Sequence, residues 1–156
     1  MRMESRSKTL NRRRALNLAG LGLAGSFGAF PAHAAERTDA EKANVQVIND
    51  FCASWPAHDV EKIMSFFADP CAYRMTETMD PVKGHAAVSD RIKSIANQVA
   101  RFEVLETIAK GPMVFNERID HFTGGPLKSW HGVGVFFLKD GKIVEWYDYT
   151  ISMQRG

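Results

Sequence analysis

The chain has 156 residues, enough for one domain with a sizeable core, and a formal net charge of +2. Six of its 20 basic and one of its 18 acidic residues lie at or before Ala34, so the remainder carries 14 and 17 and a net charge of −3. No basic patch with interleaved aromatics remains outside that leader, which excludes nucleic-acid binding as a primary role.

The leader itself has an address written into it. Arg12, Arg13 and Arg14 precede an uncharged run from Ala15 to Ala32, and Ala32-His33-Ala34 closes it with small residues around the cleavage position. That order is a secretory signal peptide. The adjacent arginines and the Gly/Ala-rich core favour the twin-arginine type, and hence export to the periplasm. Gly20, Gly22, Gly25 and Gly28 interrupt the run, so stable membrane insertion is not expected from a segment that needs about 20 strongly apolar residues. The domain proper is then residues 35–156, with residues 1–34 a removable leader.

Thr38-Asp39-Ala40-Glu41 has the form of a capping box. Val45, Ile48, Cys52 and Trp55 follow at helical spacing, predicting a helix from Asp39 to about Trp55, ended by Pro56. Asp59 caps a short second helix with Val60, Ile63, Met64 and Phe67 on its apolar face, stopping before Pro70. "CAYRMTE" reads as a strand and "TMDPVKG" as a turn-rich connection. A third helix is predicted from about His85 to Val99, with Val88, Ile92, Ile95 and Val99 along one side.

From Arg101 the hydrophobic period changes to two. "FEVLETIAK", "MVFNERIDHF", "LKSWHGVGVFFL" and "IVEWYDYTIS" are four strands, separated by Gly111-Pro112, the "TGGP" turn and the Asp140-Gly141 hairpin signal. Helices first and a meander afterwards predict an α+β fold, in which three N-terminal helices pack on a curved mixed or antiparallel sheet. Gly132 and Gly134 inside a strand suit a sharp bend, and fold analogy implies a conical cavity between three helices and such a sheet where side chains do not fill its wide end.

Charges inside the alternating strands are the candidate chemistry. Asn116, Arg118 and Asp120 share a face of one strand, and Val144, Trp146, Asp148 and Thr150 share a face of the last. The pattern alone leaves open whether these faces are interior or exposed. If interior, one arginine between two carboxylates is a composition that satisfies all three charges. His131 is assigned to the surface. No Cys/His spacing suggests a metal. Cys52 and Cys71 would meet an oxidising compartment after export; a disulfide is one reading and free buried thiols in apolar surroundings the favoured one.

"NERID" followed by "GVGVFFLKDGKIVEWYDY" resembles the limonene-1,2-epoxide hydrolase family, within the SnoaL-like and nuclear-transport-factor-2-like superfamily, over about Asp50 to Tyr149. The resemblance implies a cone-shaped α+β fold and a homodimer. It implies one-step addition of water to a small apolar epoxide, without a cofactor. By it Asp148 is the base, Asp120 the acid, Arg118 the bridge between them, and Tyr73 a holder of the attacking water. The chain departs from the family at Met75, where the resemblance places a second water-holding asparagine; Thr76 or Glu77 would serve if the strand carries a bulge. Two other readings of the same pocket stand beside it. One is a ketosteroid-isomerase-like or polyketide-cyclase-like enzyme that moves a proton next to a carbonyl, and the other a non-catalytic protein that binds a small apolar ligand.

Overall fold

The computed structural model describes residues 36–156, and the leader lies outside the described residues. The Thr38 cap forms as the sequence predicts: the Thr38 hydroxyl accepts from the Glu41 amide, and the Glu41 carboxylate accepts from the Thr38 amide at 2.9 Å. Helix α1, Asp39–Ser54, follows. Glu41 also accepts from the Gly111 amide at 2.8 Å, and the Asn44 side chain donates to the Gly111 carbonyl at 3.0 Å. The helix start is thereby fixed to a strand turn 70 residues away in sequence.

A short 3₁₀ turn, Trp55–Ala57, leads to α2, Val60–Met64. Strands β1, Phe67–Arg74, and β2, Val82–Lys83, precede α3, His85–Ala96. Strands β3, Val99–Lys110, β4, Met113–Phe122, β5, Leu127–Lys139, and β6, Lys142–Arg155, complete the chain. Both of the later predicted helices end earlier than their apolar spacing suggests, because Phe67 and Val99 are claimed by sheet pairing. Phe67 lies beside Ile143 of β6 and Val99 opposite Phe122 of β4. Pro70, which has no amide to donate, falls in a register break of β1 between Phe67 and Ala72.

The six strands form one curved mixed sheet in the order β2-β1-β6-β5-β4-β3, not closed into a barrel. Strands β3 to β6 are the expected antiparallel meander, and β1 joins it parallel to β6. The helices pack against the sheet, α1 on β3 and α3 on β1. No helix among the described residues is long and apolar enough to cross a membrane.

The core between helices and sheet is aromatic. Phe51 of α1 meets Trp55, Phe66, Phe67, Phe136 and Trp146 edge-on, with ring centroids 5.2–5.9 Å apart. Trp146 is stacked between Tyr73 at 4.0 Å and Phe136 at 5.4 Å. This packing locks the orientation of Trp146, which matters for the site. Cys52 and Cys71 are both free and buried, as their apolar surroundings suggest.

Candidate active site

Strand β4 presents Val114, Asn116, Arg118 and Asp120 to the interior, alternating with half-buried Phe115, Glu117 and Ile119. The charged face left open by the sequence pattern is therefore the inner one. On β6 the predicted alternation is broken. The register shifts between Phe137 and Leu138 of β5, so Ile143 and Trp146 both point inward and Val144 does not. Beyond that irregularity Trp146 and Asp148 keep the predicted parity.

The geometry brings together all four side chains singled out from the sequence. Arg118 is 0% exposed, Tyr73 2%, Asp148 3% and Asp120 7%. Arg118 Nε donates to Asp120 Oδ1 at 2.9 Å, with Nη2 at 3.4 Å from Oδ2, and the same Nη2 donates to Asp148 Oδ1 at 3.0 Å. Trp146 Nε1 donates to that Asp148 oxygen at 2.7 Å. The guanidinium lies over Phe102, Trp130 and Trp146, 4.8–5.4 Å from their ring centroids. An aromatic box of this kind stabilises a desolvated cation that water no longer reaches.

Two glycines make room for it. A Cβ on Gly134 would stand 2.6 Å from Arg118 Nη1, and one on Gly132 would stand 2.2 Å from the Trp130 ring. The bend expected of these glycines is thus accompanied by a steric requirement: β5 gives up two side chains so that a guanidinium and an indole can lie against its backbone.

The electrostatics follow from burial and pairing. Burial pushes Asp120 up to about 7, with the Asp148 charge adding to it and Arg118 opposing it. Burial raises Asp148 as well, opposed by the charge of Arg118 and by hydrogen bonds from Trp146, Arg118 and Tyr73. Burial works against the charge on Arg118, but Asp120 and Asp148 outweigh it and its pKa is raised. Tyr73, buried and beside the Asp148 charge, is held well above the usual phenol range and remains a neutral donor. One cation with two ionised carboxylates would leave a net negative charge in an apolar enclosure, whereas one retained proton balances the group. The extra donors on Asp148 favour leaving the charge there and the proton on Asp120.

These residues open onto a cavity of about 210 Å³, below the roughly 300 Å³ at which typical ligand pockets begin. Its other walls include Met75, Thr76, Phe102, Phe122, Leu127 and Trp130. Met75 therefore occupies the cavity at the departure noted in the sequence. Thr76 supplies a hydroxyl there, but Glu77 does not line the cavity and turns instead toward β6. His131 pairs with Glu117 at 2.9 Å on the outer face of the sheet, in keeping with its surface assignment. Sequence reasoning gives no role to Trp146, Trp130 or Phe102. The Trp-x-Asp spacing on one strand face is the available signal for the first of them.

A model of the SnoaL-like domain matches residues 48–146, a span that runs from within α1 to the Trp146 side of the site. The chain belongs to the SnoaL-like domain family. Solved structures agree on the fold of this SnoaL-like domain. A Mycobacterium tuberculosis LEH-like epoxide hydrolase is 21% identical, with a TM-score of 0.62 over 70% of this chain and 84% of that one. A nuclear-transport-factor-2-like protein of unknown function from Mesorhizobium loti is 22% identical, with a TM-score of 0.63 over 74% and 97%. A Xanthomonas campestris protein provisionally named a polyketide cyclase is 16% identical, with a TM-score of 0.59 over 70% and 91%. At these identities the shared property is the nuclear-transport-factor-2-like fold, and the chemistry rests on the side chains of this SnoaL-like domain.

Proposed function

We propose that this protein is an epoxide hydrolase that adds water in one step to a small apolar epoxide, giving a vicinal diol. The observation that carries the proposal is Arg118 bridging Asp120 and Asp148 at the wall of a small, largely apolar cavity. Ionised Asp148 takes a proton from water while the water oxygen forms its bond to a ring carbon. The carbon–oxygen bond of the epoxide breaks, and Asp120 gives its proton to the departing oxygen. Asp148 ends protonated and Asp120 ionised, so one proton passed back between them through solvent restores the starting state. Tyr73 helps to hold the attacking water, and Arg118 keeps the two carboxyls apart in protonation state.

A proton-transfer enzyme acting on a carbonyl compound is the second reading, favoured by Met75 in the cavity, which cannot hold a water as an amide would. That reaction needs Asp148 and does not need a second acid. Export to the periplasm, read from the leader, belongs to the proposal. So does a homodimer, with exposed Val104, Leu105 and Ile108 of β3 and Tyr149 and Ile151 of β6 as uncovered apolar surface.

The test is incubation of the purified protein with terpene, alicyclic and styrene-type epoxides, with diols read by mass spectrometry. Diol formation lost in both Asp148→Asn and Asp120→Asn supports hydrolysis. Turnover of a carbonyl substrate that survives Asp120→Asn, with no diol from any epoxide, replaces it with the second reading.

A further inference from the structure

Glu77 takes no part in the reaction just described, yet it is tied to the site. After β1 the chain carries Met75 and Thr76 along the cavity wall and then reaches across to β6. There Glu77 Oε2 accepts from the Thr150 amide at 3.2 Å and from the Thr150 hydroxyl at 3.1 Å. A hydroxyl has one proton to give and lone pairs that accept. With its proton committed to Glu77, Thr150 Oγ1 accepts from Trp130 Nε1 at 3.0 Å. Trp130 is buried, lies over Gly132, and faces the Arg118 guanidinium at 5.1 Å. An exposed carboxylate is thereby connected, through one hydroxyl, to a wall of the box that holds the central cation.

We infer that Glu77 is a positioning residue of this cavity. It pins the Met75–Thr76 segment against β6, and by fixing the direction of the Thr150 hydroxyl it holds Trp130 against Arg118. Hydrogen bonds from its own backbone amide and from Thr150 hold the Glu77 carboxyl below its ordinary range, which keeps it in the form that accepts both Thr150 donors. Without the carboxylate, the Thr150 proton is free to turn toward Trp130 Nε1, where two donors would face each other. The consequence for catalysis rests on the epoxide-hydrolase reading, but the relay itself does not.

The protein has three tryptophans, so ¹⁵N-labelled material gives three indole N–H signals, and Trp130→Phe identifies the one that belongs to Trp130. In Glu77→Ala the Trp130 signal is expected to shift and to exchange with solvent about tenfold faster, while those of Trp55 and Trp146 hold. Glu77→Gln, whose amide oxygen still accepts, is expected to restore most of that protection. Thr150→Val removes the hydroxyl itself and is expected to reproduce the Glu77→Ala signature. With an epoxide as substrate, KM is expected to rise more than kcat falls in Glu77→Ala, as for a residue that shapes the binding wall. A Trp130 signal unchanged in Glu77→Ala overturns the inference, whatever Thr150→Val does and whatever the activity. A moved signal in a protein that makes no diol upholds the relay and counts only against the hydrolase reading.

Discussion

Arg118 and Asp148 lie 30 positions apart, on strands separated by β5, and meet at 3.0 Å in the interior. The contact passes over Gly134, which is paired with Asp148 on one side and with Asn116 on the other. A side chain at that point would stand in the path of the guanidinium. The triad is therefore a property of three adjacent strands rather than of two.

Replacing either carboxyl by an amide, which can neither take the water proton nor give one to the leaving oxygen, should abolish most turnover and leave the fold. Asp148→Asn and Asp120→Asn keep the side-chain shape, and the new amide in Asp148→Asn would still offer an oxygen to Trp146. Diol formation is expected to fall about 10²- to 10⁴-fold in each, the usual range for a lost general acid or base. Circular dichroism should stay close to wild type.

Arg118 is predicted to matter as much for stability as for rate. Arg118→Met leaves two buried carboxyls without their cation, and breaking a buried pair in this way typically costs about 3–5 kcal/mol. Urea unfolding at pH 7 should show that loss. Arg118→Lys should recover only part of it, since an ammonium cannot reproduce the planar fork that reaches both Asp120 and Asp148.

Asp120 sets the pH dependence. Its folded pKa, about 7, lies above the ordinary 3.8, so the folded state holds this proton more tightly than the unfolded chain does. Its contribution to stability is then complete below pH 3.8 and is lost as pH rises through about 7. As the acid of the proposed reaction it must be protonated, so kcat/KM is expected to decline above about pH 7, with the two carboxyls titrating as a coupled pair. A pH–rate profile that instead rose through pH 8 would contradict the assignment.

Gly134→Ala is the smallest change predicted to disturb the site. The new Cβ would stand 2.6 Å from Arg118 Nη1 and 2.6 Å from the Phe136 ring, so the guanidinium or the strand must move. Overpacking of this kind commonly costs about 1–3 kcal/mol. The loss in kcat should exceed what the fall in stability alone explains at a temperature where the variant remains folded.

The cysteines offer a check on the interior. Burial pushes Cys52 up to about 12 and raises Cys71, so neither is a ready nucleophile. A thiol reagent at pH 7.5 should find both slow in the native protein, and denaturant should release two thiols. Only denatured protein that yields no thiol would indicate a bridge.

How much of this is legible in the sequence follows from the range of each interaction. The capping box at Thr38 and the Asp140-Gly141 hairpin are local, and both form where the residues indicate. The Arg118-x-Asp120 and Trp146-x-Asp148 pairs share faces because strand parity is local too. Phe67 and Val99 read as helical because their apolar spacing fits a helix, and only pairing with Ile143 and Phe122 makes them strand residues. Val144 departs from its expected face for the same reason: a register shift against β5 is a property of two strands, and one strand's alternation carries no trace of it. Neither the cavity's modest size nor the reach of Glu77 to Thr150 has any local signature.

The measurement that bears most directly on the central claim is a single-turnover reaction in oxygen-18 water, with enzyme in excess over a small alicyclic epoxide, for wild type and Asp148→Asn. If Asp148 activates water for direct attack, the wild-type diol carries one label from the first turnover, Asp148 carries none, and the variant forms diol about 10²- to 10⁴-fold more slowly. Unlabelled diol from that first turnover, with the label appearing in the Asp148 carboxyl, would mean a covalent ester and would contradict the account.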